Sequence, residues 1–104
     1  MTIYGKEVDF RISNLKHAAA MDLALKKMEK TEDKIRTSDK KDLVTVLSSM
    51  ISMFREFFYD ATGEDVLADC EDLQEARSTY EEFLAEIGKQ KQAMLSPYSV
   101  ERIK

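Results

Sequence analysis

The side chains of this chain that could do chemistry are His17, Cys70, a run of carboxylates between positions 60 and 75, and a run of lysines between positions 26 and 41. A catalytic histidine needs a nucleophile or an orienting carboxylate at a defined place. The sequence picks out neither for His17, so it reads as an ordinary, partly exposed histidine. Cys70 and His17 have no partners at zinc-ligand spacing, and Cys70 reads as a small apolar filler. The acidic run invites a calcium-loop test. Counting from Asp60, the third position is Thr62 and the sixth is Asp65, with Gly63 misplaced; only Glu71 at the twelfth fits. These carboxylates read as solvated charges at a corner and a helix start. Lys26, Lys27, Lys30, Lys34, Arg36, Lys40 and Lys41 are interrupted by Glu29, Glu32, Asp33, Asp39 and Asp42. They form a mixed solvated face with no nucleic-acid-binding motif. A hydrolase or metal enzyme therefore has little support, and we expect no catalytic residue, no metal and no cofactor.

The elements that would position these residues follow from periodicity. In residues 1–12, Gly5-Lys6 suits a two-residue hairpin turn. With Ile3 opposite Val8 and Met1 opposite Phe10, the side chains of Met1, Ile3, Val8, Phe10 and Ile12 share one apolar face. A lone hairpin is marginal in water, so this face must lie on the helices or pair with another chain. Ser13 or Asn14 caps a first helix over about 14–36, with a narrow stripe of Ala18, Met21, Leu25, Met28 and Ile35. Thr37-Ser38-Asp39 breaks the pattern and caps a second helix over about 39–61. Leu43, Leu47, Met50, Phe54 and Phe57 make its seam, and Val44, Val46, Ile51, Met53 and Phe58 widen it. Such a helix is central or carries a partner face. Gly63 ends it, Thr62 and Asp65 have capping-box spacing, and a third helix starts near Asp69 or Asp72. Leu73, Ala76, Tyr80, Phe83, Leu84, Ile87 and Met94 line its inner side. Pro97 is expected to stop it, leaving residues 96–104 as a flexible tail.

The expected fold is mainly α: a single domain over residues 1–104, built as a three-helix antiparallel bundle with an N-terminal β-hairpin (1–12), a helical core (13–95) and the tail. At 104 residues the core is modest, so stability is marginal unless copies associate. A net charge of −4 disfavours non-specific binding to nucleic acid or anionic membrane. No apolar stretch approaches a spanning length, so the expected location is cytoplasmic.

Several ordered pieces carry a resemblance. They are the opening Ile3-Tyr4-Gly5-Lys6-Glu7-Val8-Asp9-Phe10 and the aromatic helix end from Met53 through Phe57-Phe58-Tyr59 to Gly63. Tyr80-Glu81-Glu82-Phe83-Leu84 running to Lys89-Gln90-Lys91, and Ser96-Pro97-Tyr98, complete them. Nearly the whole chain thereby resembles a family of small tail assembly chaperones from phages and prophages of Gram-positive bacteria. It departs from the family at Ala68-Asp69-Cys70, where a Gly-rich step is common, and in a less basic tail. The resemblance implies a non-enzymatic protein, acting in the host cytoplasm, that binds and shields the helical tape measure protein during tail assembly. Met50, Met53, Phe54, Phe57 and Phe58 are the expected client contacts. Ile3, Val8 and Phe10 are the expected self-association surface of a homo-oligomer. A small helical regulator, antitoxin-like or repressor-binding, is the alternative.

Overall fold

The computed structural model describes residues 1–39 and 42–103, with side chains described as far as Ser96. The fold is mainly helical, as the periodicity requires: a two-stranded antiparallel hairpin, β1 (Thr2–Ile3) and β2 (Lys6–Glu7), precedes α1 (Leu15–Thr37), α2 (Leu43–Thr62) and α3 (Leu73–Ile103).

The hairpin turns one residue earlier than expected. Tyr4 and Gly5 occupy the two central positions, with φ of 50° and 79°, a pair of positive angles that defines the primed turn favoured in tight hairpins. Thr2 therefore faces Glu7 and Ile3 faces Lys6. The pairing has slipped by two residues relative to the expected register, an even number, so side-chain facing is unchanged. Ile3, Val8 and Phe10 all point inward and are buried in the chain's own core. Lys6 shares that inward side, and its Nζ reaches over to donate to the carbonyl of Asp65 at 3.1 Å.

Asn14 caps α1, its Oδ1 accepting from the backbone N–H groups of Lys16 and His17. The cap of α2 is Asp42, which accepts from Thr45 N–H, rather than the Thr37-Ser38-Asp39 step; Ser38 instead closes α1. Lys40 and Lys41 lie outside the described residues. Gly63 ends α2 in the left-handed region at φ 79°. The expected capping box does not form. Thr62 Oγ1 accepts from Glu64 N–H, and the Asp65 carboxylate turns to Arg55 instead. Asp72 caps α3 by accepting from Glu75 N–H.

Pro97 does not stop α3, which runs on to Ile103. A proline inside a helix loses one backbone bond and meets the carbonyl four residues back, at about 3 kcal/mol. That penalty does not forbid the helix. Residues 89–95 are all strong helix formers and lead straight into it. The expected tail thus begins as helix; Lys104 lies outside the described residues.

The core is an aromatic cluster at the middle of the molecule. Phe57 and Phe58 of α2 meet edge to face at 5.4 Å. Phe83 of α3 packs on both, at 5.9 and 5.4 Å. Phe10 from the segment after β2 closes on Phe83 at 5.3 Å. Tyr80 packs tilted against Phe54 at 5.3 Å and edge to face with Phe57 at 5.0 Å. Later in α3, the Gln90 side chain accepts from Ile12 N–H just before α1. On the other side, α1 lies along α2 through the stripe Met21, Ala24, Leu25, Met28 and Ile35. Lys27 crosses from α1 to Asp60 at 3.1 Å.

Candidate partner-binding surface

The two halves of α2 have different surroundings. Its C-terminal half buries Met53, Phe54, Phe57, Phe58 and Ala61. Its N-terminal half leaves Leu43 72%, Val44 74% and Leu47 36% exposed, with Val46, Met50 and Ile51 half-buried. Geometry explains the division. Tyr80, in the second turn or so of α3, meets α2 at Phe54 and Phe57. The rest of α3 leads toward Phe83, which packs on Phe57 and Phe58, and on to Ile12, so the ring contacts between α3 and α2 all fall in the second half of α2. From Leu43 through Phe54 no residue carries a charge. Exposed apolar side chains on adjacent turns, with charge depleted among them, distinguish a contact surface from ordinary helix exterior. Leu15 and Leu23 on α1 are as exposed. They sit singly among polar or small neighbours, which is normal for a protein surface.

The sequence-selected residues divide accordingly. Met53, Phe54, Phe57 and Phe58 face the core, so in this arrangement they offer a partner no surface. Met50 alone of that set borders the exposed patch. Ile3, Val8 and Phe10 cover the same aromatic cluster from the hairpin side. Periodicity put Leu43, Val44 and Leu47 in the same seam as the phenylalanines, without separating the two halves. The uncharged run was the legible signal. Where α3 crosses, which decides what stays open, is not written in α2.

The polar residues serve to tie elements together. His17 stacks on Phe10 at 5.5 Å, and its Nδ1 accepts from Arg11 N–H at 2.9 Å, which fixes the path between hairpin and α1. Tyr4 Oη donates to Glu75 Oε1 at 2.7 Å. That bond, with smaller contributions from the neighbouring Cys70 thiol, holds the phenol in its protonated form well above the ordinary tyrosine range. Cys70 is buried, its Sγ–H directed at the carbonyl of Asp72. Arg55 Nε and Nη2 donate to the two Asp65 oxygens at 2.8 and 2.6 Å. The guanidinium holds that carboxyl below the usual aspartate range. Asp42 is likewise held low by its bonds to Thr45. Lys27 is pushed up by Asp60. Among the described residues, no three His, Cys, Asp or Glu side chains converge as metal ligands. No helix among them is long and apolar enough to cross a membrane.

Comparison of the chain with protein-family models, with characterised proteins and with solved structures finds no match in any of the three.

Proposed function

We propose that this chain is a non-enzymatic phage tail assembly chaperone, which binds the helical tape measure protein and shields it until tail tube subunits assemble around it. One observation supports this reading best: the uncharged, solvent-facing first half of α2, with Leu43, Val44 and Leu47 exposed on adjacent turns. An amphipathic client helix would lay its apolar stripe on these residues and on half-buried Val46, Met50 and Ile51, a helix-on-groove mode of recognition. Few contacts are available to each client helix, so each association is weak, and a long client would be held through many such contacts. Weak individual contacts also allow release when tube protein competes.

Co-expression with a tape measure protein tests the reading. The wild-type chain should raise the client's soluble yield and co-purify with it, whereas the double variant L43E/L47E should remain folded and do neither. Equal client recovery with and without the chain would defeat the proposal.

A further inference from the structure

A second surface lies away from the exposed tip of α2. A cleft of about 420 Å³ opens between the hairpin and α3. Its hairpin wall is residues 1–4 alone, so it is β1, and not β2, that faces the opening. Its other wall is α3, through Thr79, Glu82, Phe83 and Glu86.

Among the described residues β1 pairs with β2 alone. Met1 and Val8 exchange backbone bonds of 2.8 and 3.0 Å, and Ile3 pairs with Lys6 across the turn. Thr2 opposes Glu7 between those two pairs. Antiparallel alternation therefore turns the N–H and C=O of Thr2 away from β2, and Thr2 lines the cleft. Ile3 and Phe83 lie beneath the cleft, both almost fully buried, so what it presents to a partner is the strand edge and the polar side chains of α3. Glu82 and Glu86, four residues apart and hence on one face of α3, give the cleft an acidic wall; among the described residues its one cation is the Met1 ammonium, which is already bonded to the Val8 carbonyl and lies 3.6 Å from Glu7.

We propose that this cleft takes an extended, lysine- or arginine-rich segment of a partner protein, added to the outer edge of β1 as a third strand. Main-chain bonds to Thr2 would set its register, and its cations would meet Glu82 and Glu86. The charge pattern selects this occupant over a second copy of the chain. Joining two copies edge to edge would bring two acidic walls together, whereas a basic strand neutralises one. β1 is short, which limits strand addition by backbone bonds alone. Attraction between opposite charges therefore carries much of the affinity, and binding should weaken as salt is added. This surface does not depend on the chaperone reading.

The probe is a blocked, fluorescent hexapeptide of alternating lysine and valine, titrated into the full chain by anisotropy. It should bind in a salt-sensitive way, slow the hydrogen exchange of the Thr2 amide, and lose affinity about tenfold or more on E82K/E86K. Thr2→Pro removes the outward N–H without touching a bond of the hairpin ladder, and should weaken binding too. The same peptide N-methylated at alternate backbone positions should fail on the unaltered protein, a result that does not depend on any variant folding. Affinity unchanged by charge reversal overturns the proposal, and so does unchanged binding of the N-methylated peptide. Equally strong binding of an alternating glutamate–valine peptide would also overturn it.

Discussion

At the residue scale, burial separates two kinds of apolar side chain that look alike in the sequence. Phe57 is 1% exposed and touches Phe58, Tyr80 and Phe83. Phe57→Ala should cost about 3–5 kcal/mol, because it removes a ring and leaves a cavity that its neighbours cannot fill. Leu43→Glu should change stability by no more than about 0.5 kcal/mol, since its side chain is 72% exposed. Denaturant titration of the two variants measures both. Charge gives a second prediction. Asp65 is held below the usual aspartate range by Arg55. Its contribution to stability is therefore present above the unfolded value of about 3.9 and is lost as pH falls through the lower folded value. Asp65→Asn should flatten the fall in stability below about pH 4, read as thermal midpoint against pH. Tyr4 works in the opposite sense. Its folded value is raised, so its contribution is complete below the unfolded tyrosine value and fades as pH climbs through the folded one. In the wild type its ionisation, followed by near-ultraviolet absorbance, should come later than that of an ordinary tyrosine, and Tyr4→Phe should shrink the late step to the part left by Tyr80, whose phenol is also pushed up, by burial.

At the scale of elements, the two glycines near helices should respond oppositely to the same substitution. Gly63 closes α2 at φ 79°, with nothing within 4 Å of where a Cβ would stand. Gly63→Ala therefore meets no clash but must hold a left-handed backbone, and should destabilise by roughly 1–2 kcal/mol. Gly88 lies inside α3, also with open space around it. Gly88→Ala should stabilise by about 0.5–1 kcal/mol, through helix propensity and a less flexible unfolded chain. Thermal unfolding of both variants checks the signs. The element order was legible because long 3.6-residue patterns are hard to mistake, and Asn14 and Gly63 marked two helix ends by their own chemistry. The turn at Tyr4-Gly5 was harder, since both Tyr4-Gly5 and Gly5-Lys6 give a hairpin with the same inward face. The end of α3 lies beyond the proline that locally signals a stop, because the seven helix formers at 89–95 outweigh that signal. The spacing from Thr62 points Asp65 at a cap, but its actual partner, Arg55, lies ten residues away in the chain, beyond any local pattern.

At the scale of the whole molecule, shape follows from where the helices cross. A chain of this length folded into a sphere-like domain would have a radius of gyration of about 13 Å. This one has 15.9 Å and a longest dimension of 56 Å. The aromatic cluster holds the middle, and the elements reach out from it in two directions. One arm is the α1–α2 hairpin with its exposed apolar turns; the other is α3 beyond Gln90, where residues 91–96 are all exposed. Stability should then be graded along the length, because local opening is easiest where few apolar contacts must break. Amide hydrogen exchange should be slowest across residues 53–61 and 76–87, which contain the buried side chains of α2 and α3. It should be faster at residues 43–50 and 91–96, although all four segments are helical. On the proposed chaperone reading, a client helix would alter this gradient at one arm only. Protection gained across residues 43–50, with residues 91–96 unchanged, is the pattern expected if a helix docks on the uncharged turns of α2. Equal protection in both arms would mean that the client stiffens the whole body, and the tip would lose its claim to be the contact.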